Sequence, residues 1–431
     1  MLLLSSIWAL ILLIAYFLVI HFNRSDESRL RPGYLRPQYS WFSLVIIALL
    51  ARLVPNFILP MGAGYDIQSF QIVGGLVAQG KDVYSEIESE NRHPYLPLQL
   101  YWMALSQKAA EFFKISFVNL IRLAPIFADV VICLVLYFLL IRSSSPFHSY
   151  MSALLYAVNP IPVYISAYHG QFDSIPMLFI LLALFNQIPR SSLREDVYKN
   201  IIASGSWLGI GILVKSWPVL TLPSFLHNIL TWKNRLLFLA FVLLIPFLGI
   251  SLYAYFFKAN PIGIISQALS YNHGIGVWGY TYFVRLLTFL RSGFSVLYDW
   301  LIQYGRWLTL AGVGIAYWLT IKNRQPLSLG ILSILLSFLV ITHAFSIQYL
   351  VWVVPFAILQ NQDRWLKRYT LAAFAYMFLA YNVLILEPNI TKLIPLPQAD
   401  LLIIIPSGLL TWLICIGWVK ELLFDKPRPV N

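Results

Sequence analysis

Charge is scarce in this chain and cysteine almost absent. Asp, Glu, Lys and Arg make up 11% of its 431 residues, and soluble domains carry about twice that share. No stretch is polar for long enough to form a soluble domain of ordinary size. The two cysteines, Cys133 and Cys415, both sit in apolar runs, which excludes a disulfide framework or a cysteine-built metal site. A Gly-rich phosphate loop, HExxH, CxxC and GxSxG are all missing. Their absence removes the soluble-nucleotide, zinc and serine-hydrolase chemistries that rest on them. No metal and no cofactor is expected.

What is present is apolar. Hydrophobic residues reach 59% and mean hydropathy is +0.73. Stretches of roughly 20 apolar residues, the length that crosses a hydrocarbon core, recur from end to end. The chain reads as an all-α polytopic membrane protein with about thirteen transmembrane helices and a helical first extracytoplasmic loop. Residues 2–22 lack the basic start and small-residue cleavage site of a signal peptide and read as a retained helix. Arg24, Arg29, Arg31 and Arg36 follow, placing that loop in the cytoplasm and the N-terminus outside. The span 41–60 then delivers the acidic stretch 61–100 to the outer face, where residues 94–113 read as an interfacial helix. This threading puts nearly every short Lys/Arg-rich loop on one side. The segments GYD, NRHPY, HGQFD, KSWP, YNHG and SIQY fall on the other. The net charge of +12 therefore sets orientation and does not imply nucleic-acid binding. Residues 1–431 read as a single integral membrane domain. It comprises an extra N-terminal helix and cytoplasmic loop (1–40), a core (41–386) with outer loops at 61–116 and 258–297, and a C-terminal helix with a basic tail (387–431).

Several polar residues stand out against this background. Asp66, beside Gly62 and Gly64 at the mouth of a span, reads as a general base or as a solvated loop acid. His169, Gln171 and Asp173 alternate along HGQFD and would project together from an extended turn, with Asp173 or Ser174 also able to cap the next helix. Lys215 in KSWP is either an interfacial anchor snorkelling beside Trp217 or a contact to a lipid phosphate. Tyr271, His273, Trp278, Tyr280 and Arg285 combine aromatic surface with donors, which suits a sugar, a head group or an interfacial belt. Gln348 and Tyr349 lie at a further outer turn. Arg52 and Arg122, in or near spans, require a partner or a water-filled cavity.

These motifs, in this order and on one side, resemble the GT-C superfamily of membrane glycosyltransferases. The likeness runs from about residue 41 to 386 and rests on GYDIQSF, on Tyr84 with HPYLPLQLYW, and on HGQFDSIPMLF, GILVKSWPVLTLP and SIQYLVWVVPF. It is strongest to bacterial mannosyltransferase-like members. The resemblance implies an inverting transfer of a hexose, mannose favoured, from a polyprenyl-phosphate donor to a glycan, lipid or protein acceptor. The transfer would take place at the extracytoplasmic face of a bacterial plasma membrane, among membrane lipids. It assigns Asp66 as base, and Lys215, His273 and Arg285 as cations for the leaving phosphate. Asp173 would orient Asp66 or a sugar hydroxyl. His169, Gln171, Tyr271, Gln348 and Tyr349 would complete the donor site. Many relatives carry two acids where this chain has Asp66 followed by Ile67, which weakens a metal reading. Two other readings stay open: a transporter or flippase of lipid-linked sugars, whose site would lie at the midplane, and a polymerase or ligase using diphosphate-linked donors.

Overall fold

In hydrocarbon the backbone has only itself to hydrogen-bond with, so long apolar runs fold as helices. The computed structural model follows that rule, describing residues 2–25, 37–59, 64–187, 194–270, 274–290, 293, 295–385 and 404–425. Among these residues helix predominates and no strand forms. The described residues fall into two compact units, residues 3–271 and 272–431.

The first unit runs through α1 (Leu2–Ser25), α2 (Pro37–Ile58), α3 (Gly64–Ala78), α4 (Leu98–Phe113), α5 (Phe117–Ile121), α6 (Leu123–Leu140) and α7 (Pro146–Ala157). It continues with α8 (Pro160–Val163), α9 (Ser174–Gln187), α10 (Arg194–Val214), α11 (Leu222–Asn228), α12 (Trp232–Phe257) and α13 (Pro261–Ser270). The second holds α14 (Gly279–Leu290), α15 (Ser295–Lys322), α16 (Leu327–Ile341), α17 (Val354–Leu359), α18 (Asp363–Ile385) and α19 (Ile405–Leu423).

Among the described residues, six segments are long and apolar enough to cross a membrane: Leu3–Asn23, Trp41–Ile58, Phe117–Leu140, Val197–Val214, Trp232–Phe257 and Ile405–Leu423. They are fewer than the spans read from the sequence, and proline accounts for part of the difference. The run 149–168 is broken at Asn159, after which Pro160 opens α8 and residues 164–169 form a π-helical turn. The run 217–231 becomes a 3-10 turn, Trp217–Thr221, and the short α11, with Pro218 and Pro223 in their first turns. In the acidic stretch after α2, the helix read at 94–113 is α4, Leu98–Phe113, and a second helix precedes it, the 15-residue α3 with Asp66 in its first turn.

Small residues set the closest helix contacts. A Cβ on Gly74 of α3 would lie 2.6 Å from the Met103 carbonyl oxygen of α4. On α10, Gly205 and Gly209 sit one turn apart, and Cβ atoms there would lie 2.7 and 3.0 Å from the carbonyls of Phe238 and Val242 on α12. This is the close backbone approach that GxxxG patterns allow between membrane helices. Polar glue is concentrated at Arg52 of α2. Its Nε donates to Asp129 Oδ2 of α6 at 2.8 Å, and its Nη1 donates to the carbonyls of Ala48 and Ala157. The Tyr156 hydroxyl of α7 donates to the other Asp129 oxygen at 2.7 Å. Arg52, Asp129 and Tyr156 are fully buried, so this network ties three helices where water does not reach. In the second unit, Trp278 stacks on Phe345 with centroids 4.0 Å apart and donates to the Leu339 carbonyl.

Gly74→Val should overpack the α3–α4 contact, at a cost of about 1–3 kcal/mol. Gly75→Ala, where a Cβ meets nothing within 4 Å, should stabilise by about 1 kcal/mol through helix propensity. Thermal unfolding in detergent should therefore shift in opposite directions for the two neighbours.

Candidate active site

The site is built where the first turn of α3 meets the HGQFD segment. After the π-helical turn Tyr164–His169, Gly170 adopts φ +89°, a conformation glycine reaches without strain. The reversal brings two side chains onto one carboxylate oxygen. His169 Nε2 lies 2.8 Å, and Gln171 Nε2 2.7 Å, from Asp66 Oδ2. An ionised carboxylate only accepts, so both nitrogens donate. Asp66 Oδ1 takes no hydrogen bond among the described residues, and the Asp66 side chain is 31% exposed. One oxygen is thus anchored while the other is open. Burial alone pushes the Asp66 carboxyl up. The hydrogen bonds from His169 and Gln171 and the charges of His169 and Lys215 outweigh it, and the net direction is down.

Behind this carboxylate stands a closed ion pair. Lys215, which follows α10, donates to Asp173 Oδ2 at 2.7 Å and to Gln171 Oε1 at 3.1 Å. Lys215, Asp173, Gln171 and His169 are all buried. Asp173 thus meets Lys215 and bears on Asp66 through the Gln171 amide, because the fold at Gly170 departs from an extended turn. The Tyr95 ring lies 4.8 Å from Lys215 Nζ, and the Tyr84 hydroxyl donates to the Tyr95 carbonyl at 2.8 Å. His93 packs edge-on against both tyrosines. Its complete burial pushes its pKa down to about 3, so His93 is a neutral member of this wall.

Arg122, between α5 and α6, holds the two chain segments that carry the site. Its guanidinium donates to the Leu59 carbonyl at 3.0 Å and to the Tyr168 carbonyl. Leu59 ends the segment before α3, and Tyr168 immediately precedes His169. A Cβ on Gly170 would fall 3.1 Å from Arg122 Cγ and 3.0 Å from Ile67 Cδ1, so the clamp also requires glycine there.

Of the residues singled out in the sequence, Asp66, His169, Gln171, Asp173 and Lys215 come together in the first unit. Arg285, Gln348 and Tyr349 belong to the second. There Arg285, on α14, lies against Gly276. Gln348 is buried in a 3-10 turn, and Tyr349 stacks on Trp352 at 4.3 Å. Tyr271 and His273 lie outside the described residues. Sequence reasoning missed Asp129, although a lone acid inside an apolar span is itself a signal that a buried cation needs it. It also passed over Arg92, named only within NRHPY.

The Lys215–Asp173 pair carries a direct test. Lys215→Met leaves an enclosed carboxylate without its cation and should destabilise by about 3–5 kcal/mol. Adding Asp173→Leu should recover much of that loss. A double-mutant cycle on thermal unfolding with no recovery would show that the two are not coupled.

No family model and no solved structure matches the chain. GPI mannosyltransferase 1 of Debaryomyces hansenii is 29% identical to it over 146 residues, covering 30% of this chain and 33% of that protein. The likeness thus spans about a third of the relative's length.

Proposed function

We propose that the chain is a membrane glycosyltransferase that moves a hexose, mannose favoured, from a polyprenyl-phosphate donor to an acceptor hydroxyl, with Asp66 as the base. The observation that carries this reading is the Asp66 carboxylate, held at Oδ2 by two donors and open at Oδ1. A base must be fixed in direction yet keep a lone pair for the incoming proton. In the reaction, the acceptor oxygen attacks the anomeric carbon. Its proton passes to Asp66 Oδ1, and the bond to the phosphate oxygen breaks on the opposite face of the sugar. Lys215 and Asp173 act through Gln171 as positioning residues. The likeness to a mannosyltransferase supports the reaction class, and the six apolar helices support a lipid-borne substrate. The catalytic face is proposed to be extracytoplasmic.

Asp66→Asn keeps size and shape but cannot take up the proton, so transfer from polyprenyl-phosphate mannose to a membrane extract should fall by about 10²–10⁴-fold. Near-normal transfer by a folded Asp66→Asn protein would sink the assignment. Because the carboxyl is held below its usual 3.8, the carboxylate should persist down to and below that pH, and its acid limb should lie there. Removing a donor weakens that hold, so His169→Ala should move the limb to higher pH in a rate–pH profile.

Sidedness is tested separately. Cysteines introduced at 88 and 272 should react with an impermeant reagent added outside, and those at 193 and 323 should not. Outside labelling at 193 would place the site on the cytoplasmic face.

A further inference from the structure

The proposed reaction expels a phosphate, which calls for a cation, and the buried cations of the first unit are already committed. Lys215 is neutralised by Asp173 and Arg52 by Asp129, while Arg122 is fully enclosed against backbone carbonyls. Arg92 differs on each count. It is half-buried and has no carboxylate partner among the described residues. Its Nη1 donates to Ser69 Oγ at 3.2 Å, and its guanidinium lies 5.5 Å from the centroid of the Tyr65 ring. The Ser69 hydroxyl proton is given to the Tyr65 carbonyl, which leaves its oxygen free to accept from Arg92. None of the other Arg92 nitrogens is enclosed without a partner, so those donors face outward. Tyr65 and Ser69 flank Asp66 on α3, and Ser69 follows it by three residues, a separation of about 5–6 Å between Cβ atoms.

Resting on the reading above, we propose that Arg92, steadied by Ser69 and Tyr65, binds the phosphate of the lipid-linked donor. Inversion puts base and leaving group on opposite faces of the sugar, so the phosphate cation has to stand off from the base. Arg92 does so: it donates to Ser69, one helical turn along α3 from Asp66, and makes no ion pair with Asp66. A planar guanidinium with outward donors matches two phosphate oxygens at once.

The same chemistry is offered by phospholipid head groups, and the test separates the two. Binding of farnesyl phosphate and of farnesol to the detergent-purified full chain is followed by tryptophan fluorescence. The wild-type protein should favour the phosphate at least tenfold, Arg92→Gln should remove the preference, and Arg92→Lys should keep part of it. Excess phosphatidylglycerol in the micelle should not compete. A preference retained by Arg92→Gln overturns the assignment and leaves the lipid-phosphate donor standing. No preference in the wild-type protein overturns both. Equal competition by phosphatidylglycerol makes Arg92 a head-group contact and overturns its donor role. If Arg92→Gln does not fold, Ser69→Ala and Tyr65→Leu, which release the charge without removing it, should weaken phosphate binding severalfold and leave farnesol binding unchanged. Unchanged phosphate binding in both variants would overturn the proposal.

Discussion

An ammonium group enclosed among apolar helices is tolerated only when a carboxylate meets it and its remaining protons find acceptors. Lys215 satisfies that demand with Asp173 and Gln171, and the arrangement around Asp66 follows from it. With Lys215 held by Asp173, the Gln171 oxygen is drawn to the ammonium and its nitrogen is turned towards Asp66. His169 reaches the same oxygen from the other side of Gly170. Moving any one of these groups disturbs the direction in which Asp66 presents its open oxygen.

The backbone that permits this is irregular. Prolines at 160 and 162 and the π-helical turn end the apolar run early, freeing residues 170–173 from helical geometry inside the protein. Buried irregular backbone is sustained only where its polar groups are answered. Arg122 answers the carbonyls of Leu59 and Tyr168. The Gly170 and Gln171 amides both donate to the Ile165 carbonyl.

Much of this was legible in the residues themselves. Apolar runs long enough to span lipid are unmistakable, and the polar segments GYD, HGQFD and KSWP hold the five side chains that converge in the first unit. Their pairing was not legible. Alternation along HGQFD suggests that His169, Gln171 and Asp173 face one way, but that holds only for extended backbone. The π-helical turn and the positive φ at Gly170 send Asp173 to Lys215 instead. Likewise Arg52 announced its need for a partner, but several helices could have supplied one. Only packing shows that Asp129 and the Tyr156 hydroxyl do so. The helical state of residues 64–78 was hidden because short, partly polar helices carry a weak periodic signal. The settings of Arg285, Gln348 and Tyr349 within the second unit are likewise fixed by packing that no local pattern encodes.

The Gln171 amide has one consequence for how this chain can vary. An amide has a donating end and an accepting end, and here they are held by groups of opposite sign, the Asp66 carboxylate and the Lys215 ammonium. The side chain therefore works as a polarised spacer whose orientation is dictated from both sides. Glutamate at 171 would have the same length but two accepting ends, and would set an anion against Asp66. Lysine or arginine would set a cation against Lys215. The position thus tolerates neither sign of charge, and a change at any one of residues 66, 171 and 215 shifts what the other two can be. Carboxylate, amide and ammonium form a unit, expected to change together or not at all.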